Sequence, residues 1–499
     1  MFKANILVLL SFLNFADSQN WIRSGYWCSE SGFPVSHINS RLFTHLVCAF
    51  AYINSSNYEI YIKASDEPYI STFTETVTSK NPSAKTLLSI WAGEANSVLE
   101  EDSSMFFDMI NQSSHRTSFI KSSIMAARRH GFMGLDLSYV LPTTPANKAN
   151  MGSFFYEWRE ATNSEPRKYN TPPLILTMGA MYSPVRDSLS YPVDDIKRNF
   201  DWVHMRSFDY HRSSKYRFTG AHAALYDPSS NLNTDYGIHE WIRLGLPAKK
   251  LVIGLPYHGF AWTLVNSDDY AIGAPAKGKA LTKDGSVSYT YIKWQLNYYG
   301  VKPLFNSTYV VNYCKIGSSW IGFDDAEAIK TKISYAKEKG LLGYNVFQIP
   351  HDDADWILST TAKEMPNAIL ILKACSLRIL MTSFKAQEEG KNQENKQQLW
   401  VIVLSTTLAA MILVSATICF LKRKSIILKG KAVWSKRNKY TNQQGFTFAQ
   451  IAAATDNFSS ENKLGEGGFG PVYKVICPFM SISSKAKVPT RNAKYRSRR

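Results

Sequence analysis

An α/β protein built on an eight-stranded parallel barrel of the (β/α)8 type is the fold this sequence predicts, and three observations carry it. Eight short apolar runs recur between residues 20 and 366, each the length of one strand. Stretches of helical periodicity or loop separate them, and strands that alternate with helices build a parallel sheet. The run Gly134-Leu135-Asp136-Leu137-Ser138-Tyr139 alternates small or polar with apolar residues before Pro142 closes it, as a buried strand does where it leaves a sheet for a loop.

Taken in order, the expected strands are Ser24 to Trp27, His45 to Tyr52, Thr86 to Trp91, Gly134 to Tyr139, Leu174 to Met178, Trp202 to Phe208, Lys250 to Leu255 and Gly343 to Gln348. The helix before the last strand shows how the connections are specified. Asp324 and Asp325 can cap it, Ala326, Ile329, Ile333 and Ala336 make an apolar stripe, and Gly340 can end it. Between the seventh and eighth strands, residues 263–320 are an excess of chain rich in Tyr, Thr and Val.

Both flanks of this region read as targeting and membrane segments. Residues 1–19 carry one Lys, then an apolar stretch from Ile6 to Leu13 and the small residues Ala16 and Ser18, the layout of a secretory signal peptide. After a juxtamembrane linker, residues 367–398, the 23 residues from Leu399 to Leu421 hold no charge. At 1.5 Å per residue they cross the about 30 Å of hydrocarbon in a bilayer. Lys422, Arg423 and Lys424 open a basic segment, residues 422–445, which places that side in the cytoplasm. The expected topology is a single pass through the plasma membrane with the N-terminal domain outside.

The net charge of +17 is concentrated in the tail: from Lys422 onward there are 17 Lys and Arg against three acids. The remainder is near neutral, which argues against nucleic acid as a partner of the large N-terminal region. Cys28, Cys48, Cys314 and Cys375 would lie outside and permit three full pairings. Cys28 follows the first strand and Cys48 sits in the second, so these two are the pair to test. Asn54, Asn111 and Asn306 begin glycosylation sequons, consistent with a secreted surface.

The segment from Met133 to Pro142 resembles the strand-four motif of glycoside hydrolase family 18, the family of class V plant chitinases, which reads D-G-L-D-L-D-W-E-Y-P. Aligned without gaps, its first Asp falls on Met133, the second on Asp136, the third on Ser138, the Trp on Tyr139 and the Glu on Val140. In that family the Glu protonates the leaving oxygen, and the third Asp positions the substrate's own acetamide as nucleophile. Val140 can neither give nor take a proton, and Ser138 cannot carry the stabilising charge. The resemblance therefore implies a barrel whose motif positions Met133, Asp136, Ser138 and Val140 are degenerate, with no catalytic residue.

Other segments are similar to class V chitinases: Phe43 to Ala51, Gly220 to Pro228 and Leu251 to Gly259. The excess chain 263–320 looks like the family's small α+β insertion. The family's M-A-Y-D on strand six becomes Arg206-Ser207-Phe208-Asp209, and its Trp at the end of strand eight becomes Phe347. Asp136, Tyr139, Phe208, Asp209, Trp262 and Phe347 are expected to present aromatic faces and polar groups in one cleft, a pattern suited to a sugar. Each alone is equally a core residue or a satisfied buried carboxylate. Glu94, after the third strand, is the one candidate for a replacement acid, against the simpler reading of a loop surface residue.

Residues 446–475 contain Leu464-Gly465-Glu466-Gly467-Gly468-Phe469-Gly470-Pro471-Val472-Tyr473-Lys474, in which Gly465, Gly467, Gly470 and Val472 match a G-x-G-x-x-G-x-V phosphate loop. With the preceding Ala-Ala-Thr-Asp-Asn-Phe run, this resembles the start of a plant receptor-like kinase. No V-A-I-K lysine, H-R-D loop or D-F-G follows, and only 25 residues remain after Lys474. The resemblance implies a truncated first lobe that cannot transfer phosphate, followed by a basic disordered tail, residues 476–499. The expectation is a catalytically inactive, chitinase-like receptor that binds chitin or another N-acetylglucosamine-type glycan outside, with a co-receptor kinase as a further partner. No cofactor and no metal is expected. The alternatives are a residual glycoside hydrolase of carbohydrate metabolism and a protein-binding pseudo-enzyme.

Overall fold

Each of the eight apolar runs forms a strand: β1 (Ile22–Cys28), β2 (His45–Ile53), β3 (Lys85–Ile90), β4 (Gly134–Leu137), β5 (Ile175–Met181), β6 (Trp202–Arg206), β7 (Leu251–Pro256) and β8 (Gly343–Phe347). The computed structural model describes residues 21–93, 103–169, 172–364, 459–467 and 470–473. All neighbouring barrel strands pair in parallel, in chain order. β1 also pairs with β8, Ile22 opposite Gly343, so the sheet closes and no edge remains unpaired.

Closure gives every strand an inner and an outer face. Leu46, Cys48, Leu88, Leu135, Leu176, Val203, Ile253 and Val346 turn outward into the main apolar core, where the connecting helices cover them. Those helices include α1 (Glu67–Lys80), α2 (Ser104–Ile110), α3 (Ser113–Arg129), α4 (Pro145–Tyr169), α5 (Val193–Asn199) and α6 (Thr234–Arg243). Tyr26, Val47, Ala49, Leu87, Trp202 and Val252 form the apolar part of the inner face.

The same alternation rules out Cys28–Cys48, the pair singled out for testing among the open pairings. Cys28 stands opposite Ala49 and Cys48 opposite Trp27 in the parallel register, so the two thiols point to opposite faces of the sheet. Both are free thiols, as is Cys314. The three sequon asparagines all lie at least partly exposed.

Between β7 and β8 the chain builds a six-stranded sheet, from His258–Leu264 to Ser319–Phe323, and packs it with helix α7 (Tyr289–Tyr299). This insertion begins earlier than Thr263, because His258–Leu264 turns antiparallel immediately after β7 ends. Helix α8 (Ala326–Glu338) follows, with the Asp325 side chain accepting from the Ala326 amide at 2.8 Å. Asp324 does not cap it; it is buried in an ion pair with Lys332. Gly340 ends the turn at φ +68°, a conformation that favours glycine. Helix α9 (Ile357–Glu364) closes the described part of this region.

Contacts divide the chain into two units, Met1–Leu377 and Arg378–Arg499. In the second, Lys463–Gly467 and Gly470–Tyr473 form an antiparallel hairpin in which Gly465 faces Val472 and Gly467 faces Gly470. The signal, linker, span, basic segment and tail expected at 1–19, 367–398, 399–421, 422–445 and 476–499 lie outside the described residues. Among the described residues, no helix is long and apolar enough to cross a membrane.

Candidate functional site

The carboxyl ends of β4, β5 and β6 open into two cavities of about 280 and 330 Å³ that share Leu141, Met181, Arg186 and Arg206. Tyr139, Val140, Leu141 and Thr143 come from the chain leaving β4, Met181 from the end of β5, and Arg206, Phe208 and Asp209 from the end of β6. This is the end of a parallel barrel where loops assemble sites. Gly179 on β5 allows the ring of Tyr139 to lie against the strand, since a Cβ there would come within 2.9 Å of it.

The motif positions separate along the barrel axis. Met133 precedes β4 and is exposed at the opposite end from the cleft. Asp136 is fully buried inside the barrel and accepts hydrogen bonds from Tyr26 (2.7 Å), Ser89 (2.7 Å) and Thr177 (2.6 Å), with His204 Nδ1 at 3.4 Å. It is a satisfied core carboxylate, not a cleft group. Ser138 is buried and its hydroxyl accepts the Ala92 amide at 2.9 Å, tying β4 to the chain after β3. Val140 reaches the cleft wall, and its carbonyl accepts the Tyr191 hydroxyl.

Of the aromatic candidates, Tyr139 and Phe208 line the cleft. Phe347 stacks on Phe208 with ring centroids 5.9 Å apart and reaches Tyr26 at 5.8 Å, closing the barrel mouth beneath them. Trp262 lies elsewhere: it is fully buried in the insertion core against Trp320, 5.3 Å between centroids. Its apolar strand fills the insertion's own core, which the sequence pattern alone does not distinguish from the barrel. Glu94 falls outside the described residues.

Arg206 is the cleft residue that sequence reasoning passed over. Trp202, His204 and Arg206 occupy one face of β6, and this period-two spacing is the signal that places the arginine inside. Its guanidinium donates to Asp209 Oδ2 at 2.6 Å and lies 5.5 Å from the centroid of Tyr139 and 6.0 Å from that of Phe208. Arg212 is 3.6 Å from the same oxygen, and His258 Nε2 is 2.9 Å from Oδ1. Burial by itself would push the Asp209 carboxyl up, but Arg206 and then His258 outweigh it and hold it well below the usual carboxylate range. Burial pushes the neighbouring His222 down to about 4.

The cleft's chemistry follows from this inventory. Asp209 is the one carboxylate among the described residues lining it, and it is committed to an arginine. A general acid must hold a proton near neutral pH within reach of the leaving oxygen. Asp209 is ionised, and Val140 has no proton to give.

Residues 22–352 match the family model described as glycosyl hydrolases family 18. The chain belongs to glycosyl hydrolase family 18. It is 40% identical over 353 residues to a class V chitinase of Arabidopsis thaliana, covering 70% of this chain and 92% of that one. Among solved structures, a mutant of the class V chitinase from Nicotiana tobaccum in complex with NAG4 matches at 39% identity and TM-score 0.66, over 69% of this chain and 98% of that one. A chitinase-like agglutinin from Robinia pseudoacacia matches at 40% identity and TM-score 0.63, over 69% and 99%. The family 18 region thus lies within the first compact unit, and the hairpin at Lys463–Tyr473 lies outside it.

Proposed function

We propose that the family 18 region is a catalytically silent glycan-binding domain, the outer part of a single-pass plasma-membrane protein of the receptor-like kinase type. The observation that carries the reading is Val140, a buried residue beside the cleft in the position that aligns with the family's acid, with the arginine of β6 lining the same cavity. Removing a carboxyl and adding a guanidinium eliminates proton donation but keeps aromatic faces and donors for a sugar. Relatives of both kinds exist: a class V chitinase solved with an N-acetylglucosamine tetramer, and a chitinase-like agglutinin. The membrane topology, the receptor role and the kinase origin of the hairpin rest on the sequence patterns at 1–19, 399–424 and 446–475.

The test uses the full-length protein with N-acetylglucosamine oligomers. Calorimetry should show saturable heat with the tetramer, with no release of shorter sugars over the same period. Restoring both motif carboxylates, Ser138→Asp with Val140→Glu, measures what was lost. Cleavage by the unaltered protein at rates typical of enzymes, roughly 1–1000 per second, would sink the silent reading, and absence of any binding would sink the glycan reading.

A further inference from the structure

We propose that Asp209, His222 and His258 form a binding site for a divalent transition-metal ion of the zinc class. The ligands come from three separate segments: Asp209 just after β6, His222 from the loop before α6, and His258 from the first strand of the insertion. One ligand atom from each lies within 4.8 Å of the others. His258 Nε2 and His222 Nδ1 stand 2.9 and 3.7 Å from Asp209 Oδ1. A tetrahedral zinc centre with bonds of about 2.0–2.1 Å sets its ligand atoms about 3.3 Å apart. Small ring rotations therefore suffice to admit an ion.

His222 supplies the independent observation. It is 1% exposed, and neither ring nitrogen comes within hydrogen-bonding distance of a protein group, Nδ1 standing 3.7 Å from Asp209 Oδ1. Native proteins seldom bury an imidazole with both nitrogens unmet. Nδ1 faces Asp209, so an ion between the two would satisfy it.

His258 points the same way. Its Nε2 is 2.9 Å from Asp209 Oδ1 and its Nδ1 3.4 Å from the Phe347 carbonyl, so the ring has an acceptor on each side and only one proton when neutral. In the tautomer that donates to the carbonyl, the Nε2 lone pair turns toward Asp209 and is free to ligate an ion. A backbone carbonyl behind the far nitrogen is the usual outer support of a ligating histidine.

The surrounding charges select the kind of ion. Asp209 and Asp324 are the nearby carboxylates, and Arg206, Arg212 and Lys332 are the fixed cations held on them. A hard ion such as Mg²⁺ or Ca²⁺, which depends on several anionic oxygens, finds too few here. Zinc, nickel or cobalt bond neutral imidazole and lose less in such a field. Arg206 occupies Oδ2, which leaves Oδ1 as the ligand atom, and Asp209 lines the cleft, giving the ion a way in.

The experiment is a titration of chelator-treated full-length protein with Co²⁺, read by visible absorption, followed by displacement with Zn²⁺. The expected result is one ion per chain, displaced by Zn²⁺ and unaffected by millimolar Mg²⁺ or Ca²⁺. His222→Phe keeps the volume and removes the orphaned nitrogens, so it should fold as well as the parent yet bind Co²⁺ at least tenfold more weakly. His258→Ala should do the same. No stoichiometric Co²⁺ or Zn²⁺ binding by the unaltered protein, or binding that survives both substitutions, overturns the proposal.

Discussion

Arg206 donates to Asp209 at 2.6 Å while both side chains are more than nine-tenths buried, so the wall of the cleft is held by a largely desolvated ion pair. Taking the arginine away leaves the buried Asp209 charge only the longer Arg212 contact at 3.6 Å and His258. Arg206→Met is expected to cost about 3 kcal/mol. Arg206→Met with Asp209→Asn should recover most of that loss, because neither charge remains. Urea unfolding of the single and double variants checks this, and equal losses in both would show that the pair contributes through packing alone.

Inside the barrel, Asp136 gathers three hydroxyl donors from β1, β3 and β5. Tyr26→Phe removes one donor and should cost roughly 1 kcal/mol, whereas Asp136→Ala strands all three and should cost roughly 3 kcal/mol or more. A smaller loss for Asp136→Ala than for Tyr26→Phe in thermal or urea unfolding would mean the carboxylate is a net burden.

Acid should weaken the barrel through His45. Burial, reinforced by Lys85, His204 and Arg23, pushes this imidazole down to about 3. Unfolded, it titrates near 6.5, so below that pH the unfolded chain takes up a proton that the folded chain refuses. The stability present above pH 6.5 therefore falls as pH drops toward 3, by about 1.4 kcal/mol at pH 5.5. His45→Phe should flatten the urea midpoint between pH 7 and 5.5; an unchanged slope would assign the acid sensitivity to other groups.

At helix α8 the cap has two duties. Asp325 accepts from the Ala326 amide and from the Tyr289 hydroxyl at 2.6 Å, joining the helix to the insertion. Asp325→Ala should cost about 1–2 kcal/mol, and Tyr289→Phe a smaller part of it. A double-mutant cycle measures the coupling, and additivity would show that the two bonds act separately.

The eight strands were legible because each is a short apolar run whose outward-facing apolar residues join the core. The α8 helix was legible because its cap, stripe and terminal glycine agree. Trp262 misled because an apolar strand looks the same whether it faces a barrel mouth or the core of an insertion. Asp136 shows the same ambiguity for a carboxylate: its three hydroxyl partners come from distant strands and leave no local mark. Arg206 carried a readable signal, since it continues the inward series of Trp202 and His204. The Asp209, His222 and His258 cluster did not, because no metal-ligand spacing joins segments that only the fold brings together, and no metal was expected.

The pairing of Ile22 with Gly343 has a consequence for how the protein is made. The first strand to leave the ribosome meets its second neighbour only after nearly the whole domain has been synthesised. Until then β1 and β7 present open backbone edges, the kind of surface on which nascent chains aggregate. Unpaired edges therefore persist longest at these two strands. Any truncation before Phe347 should yield an insoluble open sheet rather than a smaller barrel.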